Sequence, residues 1–196
     1  MNTTGLLRKT LIMLAVMLTV VFGIGFMLPD TFHVERTLII DTPAEKPFKL
    51  INDLTQWPLW DPWTRADPDI KQEVSGTAGP GQEQTWLGPR SSTGKLKIIE
   101  SVANKNISVE MYTTDSPTPR RLTFTFQDLG QRTKLTWAID GDNTIKPIGN
   151  WFGLGMDDYL GPMYEQGLSN IKSLSETGKL PSELKPLGEE NKPKLN

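Results

Sequence analysis

Leu11 to Leu28 is an unbroken run of eighteen uncharged residues, fifteen of them hydrophobic, in a chain of 196. As a helix such a run is just long enough to cross the hydrocarbon core of a bilayer. Arg8 and Lys9 precede it and Pro29-Asp30 closes it. A cleaved signal peptide is one alternative, but its apolar part is normally shorter and ends at a small-x-small site. Gly23-Ile24-Gly25 is the candidate site, and Phe26-Met27-Leu28 carries the apolar run past it. A buried core helix is another, against which the segment is apolar on every face and sits at the extreme terminus. The expectation is an uncleaved transmembrane anchor over residues 10–29, preceded by a short segment of residues 1–9. Arg8, Lys9 and the terminal amine outweigh the lone Arg36 among the fifteen residues after the span. That bias predicts a single-pass protein of the inner (plasma) membrane, with its N-terminus in the cytoplasm and the remainder outside.

Beyond the span the periodicity changes to two. Ile107, Val109 and Met111 alternate with polar residues, as do Leu122, Phe124 and Phe126, and then Leu135, Trp137 and Ile139. Such alternation marks strands with one buried face. Strands are predicted at His33–Asp41, Ile70–Ser75, Gln82–Leu87, Gly94–Ala103, Asn106–Thr113, Arg121–Leu129 and Thr133–Asp140. The connections within the last six are too short for helical crossovers, so the sheet is expected to be an antiparallel meander. Thr42-Pro43-Ala44-Glu45 reads as a capping box with Pro at the first helical position, opening a helix that runs to about Leu54 and buries Phe48, Ile51 and Leu54. From Met156 the period becomes helical: Met156, Leu160, Met163, Tyr164, Gly167, Leu168, Ile171 and Leu174 form one stripe, ended by Gly178 as a C-cap. A sheet with one apolar face needs a cover, and this helix is the one available. The residues from 179 to 196, rich in Pro, Lys and Glu without an aromatic, read as a disordered tail.

Composition narrows the chemistry. The chain has no Cys and one His, with 21 Lys and Arg against 23 Asp and Glu, for a net charge of -2. No disulfide scaffold, thiol nucleophile, lipoprotein anchor, Cys-ligated metal or multi-His site can be built from it, and no metal or cofactor is expected. The charge balance provides no field for nucleic acid. Outside the apolar run, 57 of 178 residues are hydrophobic, about 32%, which is the composition of a polar, soluble domain.

The order strand, helix, Trp-rich turn, six strands, long helix resembles the START-like (SRPBCC) helix-grip superfamily, in particular its polyketide cyclase/dehydrase and lipid-transport group. The residues that carry the resemblance are Thr42-Pro43-Ala44-Glu45, then Trp57-x-x-Trp60-x-Pro62-Trp63. The turn Gly76/Gly79/Gly81 follows, leading into Gln84-x-Trp86-x-Gly88 and Gly94. Gly161-Pro162-x-Tyr164-x-x-Gly167-Leu168-x-x-Ile171-Lys172 closes the series. The resemblance implies an α+β fold, a seven-stranded curved antiparallel sheet wrapped around the C-terminal helix, over residues 33–178. It also implies a cavity between sheet and helix for a lipid or other hydrophobic small molecule. Residues expected at such a pocket are Trp57, Trp60, Trp63, Trp86, Met111, Phe124, Phe126, Trp137, Trp151, Phe152, Met156, Tyr159 and Met163, each of which also reads as ordinary core.

The other motifs reduce to structure. Gly76 to Gly81 precedes a strand, so no helix N-terminus follows to receive a phosphate, and Ser92-Thr93-Gly94-Lys95 lacks the rest of a P-loop. His33 reads as a strand residue near the membrane surface. Asp157 and Asp158 suit the first turn of a helix. Asp61, Asp67 and Asp69 suit turns beside Pro62 and Pro68. Asp61, Asp157 and Tyr159 could supply acid–base groups, but no spacing joins them into a catalytic set. Three functions remain: a membrane-anchored binding module for a hydrophobic ligand, a cyclase- or dehydratase-like enzyme using a pocket carboxylate or Tyr, and a non-catalytic envelope partner whose interior is filled by side chains.

Overall fold

A computed structural model describes residues 3–89, 93–114, 116–143 and 145–181. Its elements are α1 (Thr3–Met27), β1 (Thr31–Ile40), α2 (Glu45–Ile51), α3 (Trp57–Trp60), α4 (Pro62–Ala66), β2 (Lys71–Ser75), β3 (Glu83–Leu87), β4 (Gly94–Val102), β5 (Asn106–Thr113), β6 (Arg120–Asp128), β7 (Thr133–Asp142), α5 (Ile148–Leu154) and α6 (Met156–Thr177). The seven strands form one antiparallel sheet in the order β1-β7-β6-β5-β4-β3-β2. The α+β helix-grip architecture expected from the sequence is therefore present, with each predicted strand found within a residue or two of its expected ends. Ser92 of the discounted P-loop and most of the predicted tail, from 182 onward, lie outside the described residues.

Alternation dictates which face curls inward. Leu122, Phe124 and Phe126 of β6 and Leu135, Trp137 and Ile139 of β7 are all buried, as are Ile107 and Val109 of β5 and Leu96 and Ile98 of β4. A register shift between Ile98 and Glu100, a β-bulge, bends the sheet toward this face. The helix α6 lies against it, running beside β1, and buries Leu160, Tyr164, Leu168 and Ile171 along one stripe. Gly178 ends the helix in the left-handed conformation at φ 73°, its amide bonding to the Leu174 carbonyl at 3.0 Å.

Two glycines set how closely α6 approaches. A Cβ at Gly167 would lie 2.6 Å from the Trp137 ring, and one at Gly161 would collide with the Arg36 guanidinium. Between them, Tyr164 stacks flat on Trp137 with centroids 3.9 Å apart and planes 13° from parallel. Arg36 lies in the groove that Gly161 leaves open. It bonds Asp157 through both nitrogens, at 2.7 and 3.0 Å, and Glu165 at 2.9 Å. Asp157, expected only to favour the helix dipole, thus also ties the first turn of α6 to β1, and the Arg36 pair holds its carboxyl below the usual range.

The start of α2 corrects the sequence reading. No capping box forms: the N-cap is Ala44, without a side-chain bond, and Glu45 turns instead to Lys49 at 2.7 Å. Thr42 is drawn into the core, where its carbonyl accepts from the Thr133 hydroxyl at 2.8 Å and its own hydroxyl is buried with no partner among the described residues. Pro43 consequently precedes the helix, and Pro47 occupies its third position, where an amide has no intrahelical partner to lose. Nor does the helix run on to Leu54. It stops at Ile51, and a separate 3-10 turn covers Leu54–Gln56, capped by Asp53. Ile51 and Leu54 are buried as expected, whereas Phe48 is half-buried, edge-on to Phe126.

The helix α1 holds a 23-residue segment, Gly5–Met27, long and apolar enough to cross a membrane. Nearly all of it is exposed, with Gly25 its one buried residue. It begins earlier than the predicted anchor and includes Arg8 and Lys9.

Gly167→Ala is expected to destabilise the full chain in mild detergent by about 1–3 kcal/mol, because a methyl group must displace a fully buried ring. The exposed Ser169→Ala on the same helix should stay within about 0.5 kcal/mol of the parent. Chemical denaturation of the three proteins compares them directly.

Candidate functional site at the open end of the grip

The interior divides into a closed half and a half-open one. The closed half begins with Trp57 and Trp60. The indole of Trp57 donates to the Ile51 carbonyl at 2.9 Å and that of Trp60 to the Leu50 carbonyl at 3.1 Å. Both carbonyls belong to the last turn of α2, where no intrahelical partner exists. The two rings are thereby buried without leaving an N–H unpaired. Trp60 meets Trp137 edge-on at 5.5 Å and Phe124 at 6.2 Å, and Phe124 stacks on Trp137 at 5.1 Å. Trp60, Phe124 and Trp137 are all fully buried. Asn170 of α6, also fully buried, donates to the Trp60 carbonyl at 2.8 Å and receives Gln166 at 3.0 Å. Phe126 completes this block against Phe48.

The half-open part lies at the other end of the sheet. The register places one inward row across all seven strands: Phe32, Gly141, Arg120, Met111, Leu96, Gln84 and Val74. One step further out come Gln72, Trp86 and Gly94, with the Trp86 ring folded over Gly94 where a Cβ would collide. The short helix α4 bridges this edge to α6. Its Pro62 packs at Gly167, its Thr64 hydroxyl accepts from Gln72 at 3.1 Å, and its Trp63 ring stands edge-on to Trp137 and Tyr164. Trp63, Trp86, Met111, Met156 and Met163 are all only partly buried here.

Polar groups are few and specific. Gln84 Oε1 and Trp137 Nε1 are buried with no hydrogen-bond partner among the described residues. Arg120 reaches Thr113 Oγ1 at 3.1 Å. Asp61 caps α4, accepting from the Thr64 amide at 3.1 Å and its hydroxyl at 3.0 Å. Burial pushes the Asp61 carboxyl up to about 6 despite these bonds. Burial also raises the Tyr164 phenol far above its ordinary value, and the nearby Asp61 charge raises it further.

The thirteen residues expected at a pocket therefore separate into three groups. Trp57, Trp60, Phe124, Phe126 and Trp137 form the closed block. Trp63, Trp86, Met111, Met156 and Met163 gather at the half-open end. Trp151 lies against α1, and Phe152 and Tyr159 are exposed on the outer surface, so none of the three belongs to either group. Gln84 and Arg120 were missed, although both occupy inward positions of their strands and so break the apolar alternation in plain view. His33 is in β1 on the outward face, its Nδ1 2.7 Å from Asp140 Oδ1. Among the described residues no group of three or more His, Asp or Glu could hold a metal ion.

A long helix gripped by a curved antiparallel sheet with an apolar interior defines the helix-grip class of domains. The chain belongs to the polyketide cyclase/dehydrase and lipid transport family, whose sequence profile matches residues 31–176. Solved structures of similar fold include an aromatase/cyclase from a Streptomyces species, 17% identical with TM-score 0.56, covering 74% of this chain and 94% of that one. A truncated norcoclaurine synthase from Thalictrum flavum is 16% identical with TM-score 0.56, covering 75% and 94%. A Staphylococcus aureus protein of unknown function is 10% identical with TM-score 0.57, covering 76% and 97%. At these identities the likeness is one of fold. No curated protein matches the chain.

The Asp61 carboxyl makes stability depend on pH in a definite direction. Its folded value of about 6 lies above the ordinary 3.8, so between these pH values the folded state holds a proton that the unfolded state has released. Stability therefore falls as pH rises from about 4 to about 6, by up to roughly 3 kcal/mol. Asp61→Asn keeps an oxygen that can accept from the Thr64 amide and removes the titration. Relative to the parent it is expected to gain stability across that window, read from denaturation midpoints at pH 4, 5, 6 and 7.

Proposed function

We propose that the protein is a membrane-anchored binding module which takes up a lipid or other hydrophobic small molecule at the half-open end of its grip. The observation that carries this reading is the incomplete burial of Trp63, Trp86, Met111, Met156 and Met163 against the core. Large apolar side chains complete their burial when an apolar ligand covers them. Gln84 supplies an acceptor that a ligand headgroup or a trapped water would satisfy. Family membership supports the ligand class, and α1 supports the anchor. In this reading the chain is single-pass in the inner membrane, N-terminus in the cytoplasm, with the domain on the outer side and neither metal nor cofactor involved.

A second reading, a cyclase- or dehydratase-like enzyme, is favoured by the Asp61 carboxyl, whose raised value suits proton transfer near neutrality. The closed aromatic block favours a third, a non-catalytic envelope partner.

The full chain in phosphatidylcholine nanodiscs, given a photoactivatable diazirine fatty acid, is expected to be labelled on peptides containing Trp86, Met111 or Met163. Met111→Trp should lower that labelling about tenfold by filling the row, which corresponds to about 1.4 kcal/mol. Labelling confined to α1 would sink the binding reading and leave the envelope partner. In the enzyme reading Asp61→Asn would retain labelling and lose turnover.

A further inference from the structure

The segment between β7 and α6 is joined to the end of α1 more tightly than a tether requires. Asn150 of α5 is buried, and its amide donates to the Gly25 carbonyl at 3.0 Å, the Leu28 carbonyl at 3.2 Å and Asp30 at 3.2 Å. The Trp151 indole donates to the Val21 carbonyl at 3.3 Å. Pro147 and Trp151 close over Gly25, where a Cβ would stand 2.7 Å from the first and 2.8 Å from the second. Asn143 bonds Pro29 and Asp30 through side chain and backbone, at 2.9 and 2.7 Å, and Lys146 pairs with Asp30. The hydrogen bonds from Lys146 and Asn150 lower the Asp30 carboxyl below its usual range.

The contacts reach into the apolar run itself. Val21 and Gly25 are seven and three residues before its last member, Leu28. At 1.5 Å per residue α5 therefore lies alongside the final ~10 Å of the span. The surface of this segment is otherwise apolar and bare: Ile145, Ile148, Phe152 and Leu154, together with Tyr159 of α6, are between 49% and 70% exposed. From Pro147 to Met156 there is no charge. In water this surface has no reason to stay uncovered. At the depth fixed by Val21 and Gly25 it meets the boundary between headgroups and acyl chains, where Trp and Tyr concentrate and an apolar helix face lies flat.

Resting on the membrane-anchored reading, we infer that Ile145, Ile148, Phe152, Leu154 and Tyr159 form a second membrane contact, embedded in the bilayer interface beside the span. The start of β1, the end of β7 and the first turn of α6 flank this patch, and the inward row from Phe32 to Val74 opens at that same end. The contact holds the half-open end of the grip against the membrane, so that a hydrophobic molecule passes between bilayer and domain without crossing water. The occupant of the patch is lipid rather than a second protein surface.

With no native Cys, single Cys reporters can be placed in the full chain and labelled with an environment-sensitive fluorophore. Three positions serve: Phe152→Cys in the patch, Val16→Cys in the span, and Lys105→Cys in the β4–β5 turn at the far end of the sheet. In phosphatidylcholine vesicles carrying spin-labelled lipid, the reporters at 152 and 16 are expected to be quenched at least about threefold more than that at 105. The one at 152 should respond most to shallow labels and the one at 16 to deep labels. Quenching at 16 but not at 152 overturns the second contact and leaves the anchor standing. A reporter at 152 shielded from water yet unquenched by lipid also overturns it, in favour of a protein partner. Absence of quenching at 16 overturns the anchor, and the inference with it.

Discussion

The contact between Tyr164 and Trp137 is the constraint on which the rest of this fold is arranged. Two large rings lie flat on each other at 3.9 Å, and that is possible because Gly161 and Gly167 flank Tyr164 one helical turn to either side. With α6 held this close to β7, the space beneath its middle is filled by Trp60, Phe124 and Trp137, all fully buried. Toward the start of α6, Met156 and Met163 replace aromatics, and their flexible thioether side chains adapt to what they meet. The position of the half-open end is thus a consequence of where the closest approach falls.

The Trp-rich turn follows from the same closeness. The indoles of Trp57 and Trp60 fit into a packed core only if their N–H groups are paired, and the unpaired carbonyls at the end of α2 lie within reach. Ending α2 at Ile51, rather than continuing it to Leu54, is what frees those carbonyls. The break in the helix and the burial of the tryptophans are one event. Asn170, a polar residue on the apolar stripe of α6, closes the arrangement by bonding the carbonyl of Trp60.

What the sequence discloses here depends on the range of the interactions. Period-two alternation in β5, β6 and β7 is a local record of a buried face, and it locates the strands, their inward residues and the meander. The stripe from Met156 to Leu174 does the same for α6. Thr42-Pro43-Ala44-Glu45 has every local mark of a cap, yet Thr42 is held in the core, bonded by Thr133 ninety-one residues later, and the N-cap falls on Ala44. The separation of thirteen candidate residues into packed, half-buried and exterior sets is likewise set by tertiary contacts: nothing local distinguishes Trp60 from Trp63. Gln84 and Arg120 were legible as polar residues at inward parity, a signal easily lost beside six tryptophans.

The exterior set has the least local signature and the most bearing on how the molecule is placed. Trp151 and Phe152 look like core residues in a list of aromatics, yet Trp151 is spent on the end of α1 and Phe152 is left exposed, while Asn150 just before them is turned in. One buried amide with three acceptors on α1 and the residues just after it decides which side of a seven-residue helix faces protein and which faces away. A flexible linker would have let the domain tumble relative to α1, with its half-open end in any direction. Pro29 and Asp30 are instead clamped from both sides, by Asn143 and Lys146 on one and Asn150 on the other. In the membrane-anchored reading proposed above, a helix fastened in this way specifies orientation as well as proximity, and orientation decides whether the half-open end meets the membrane or the solvent.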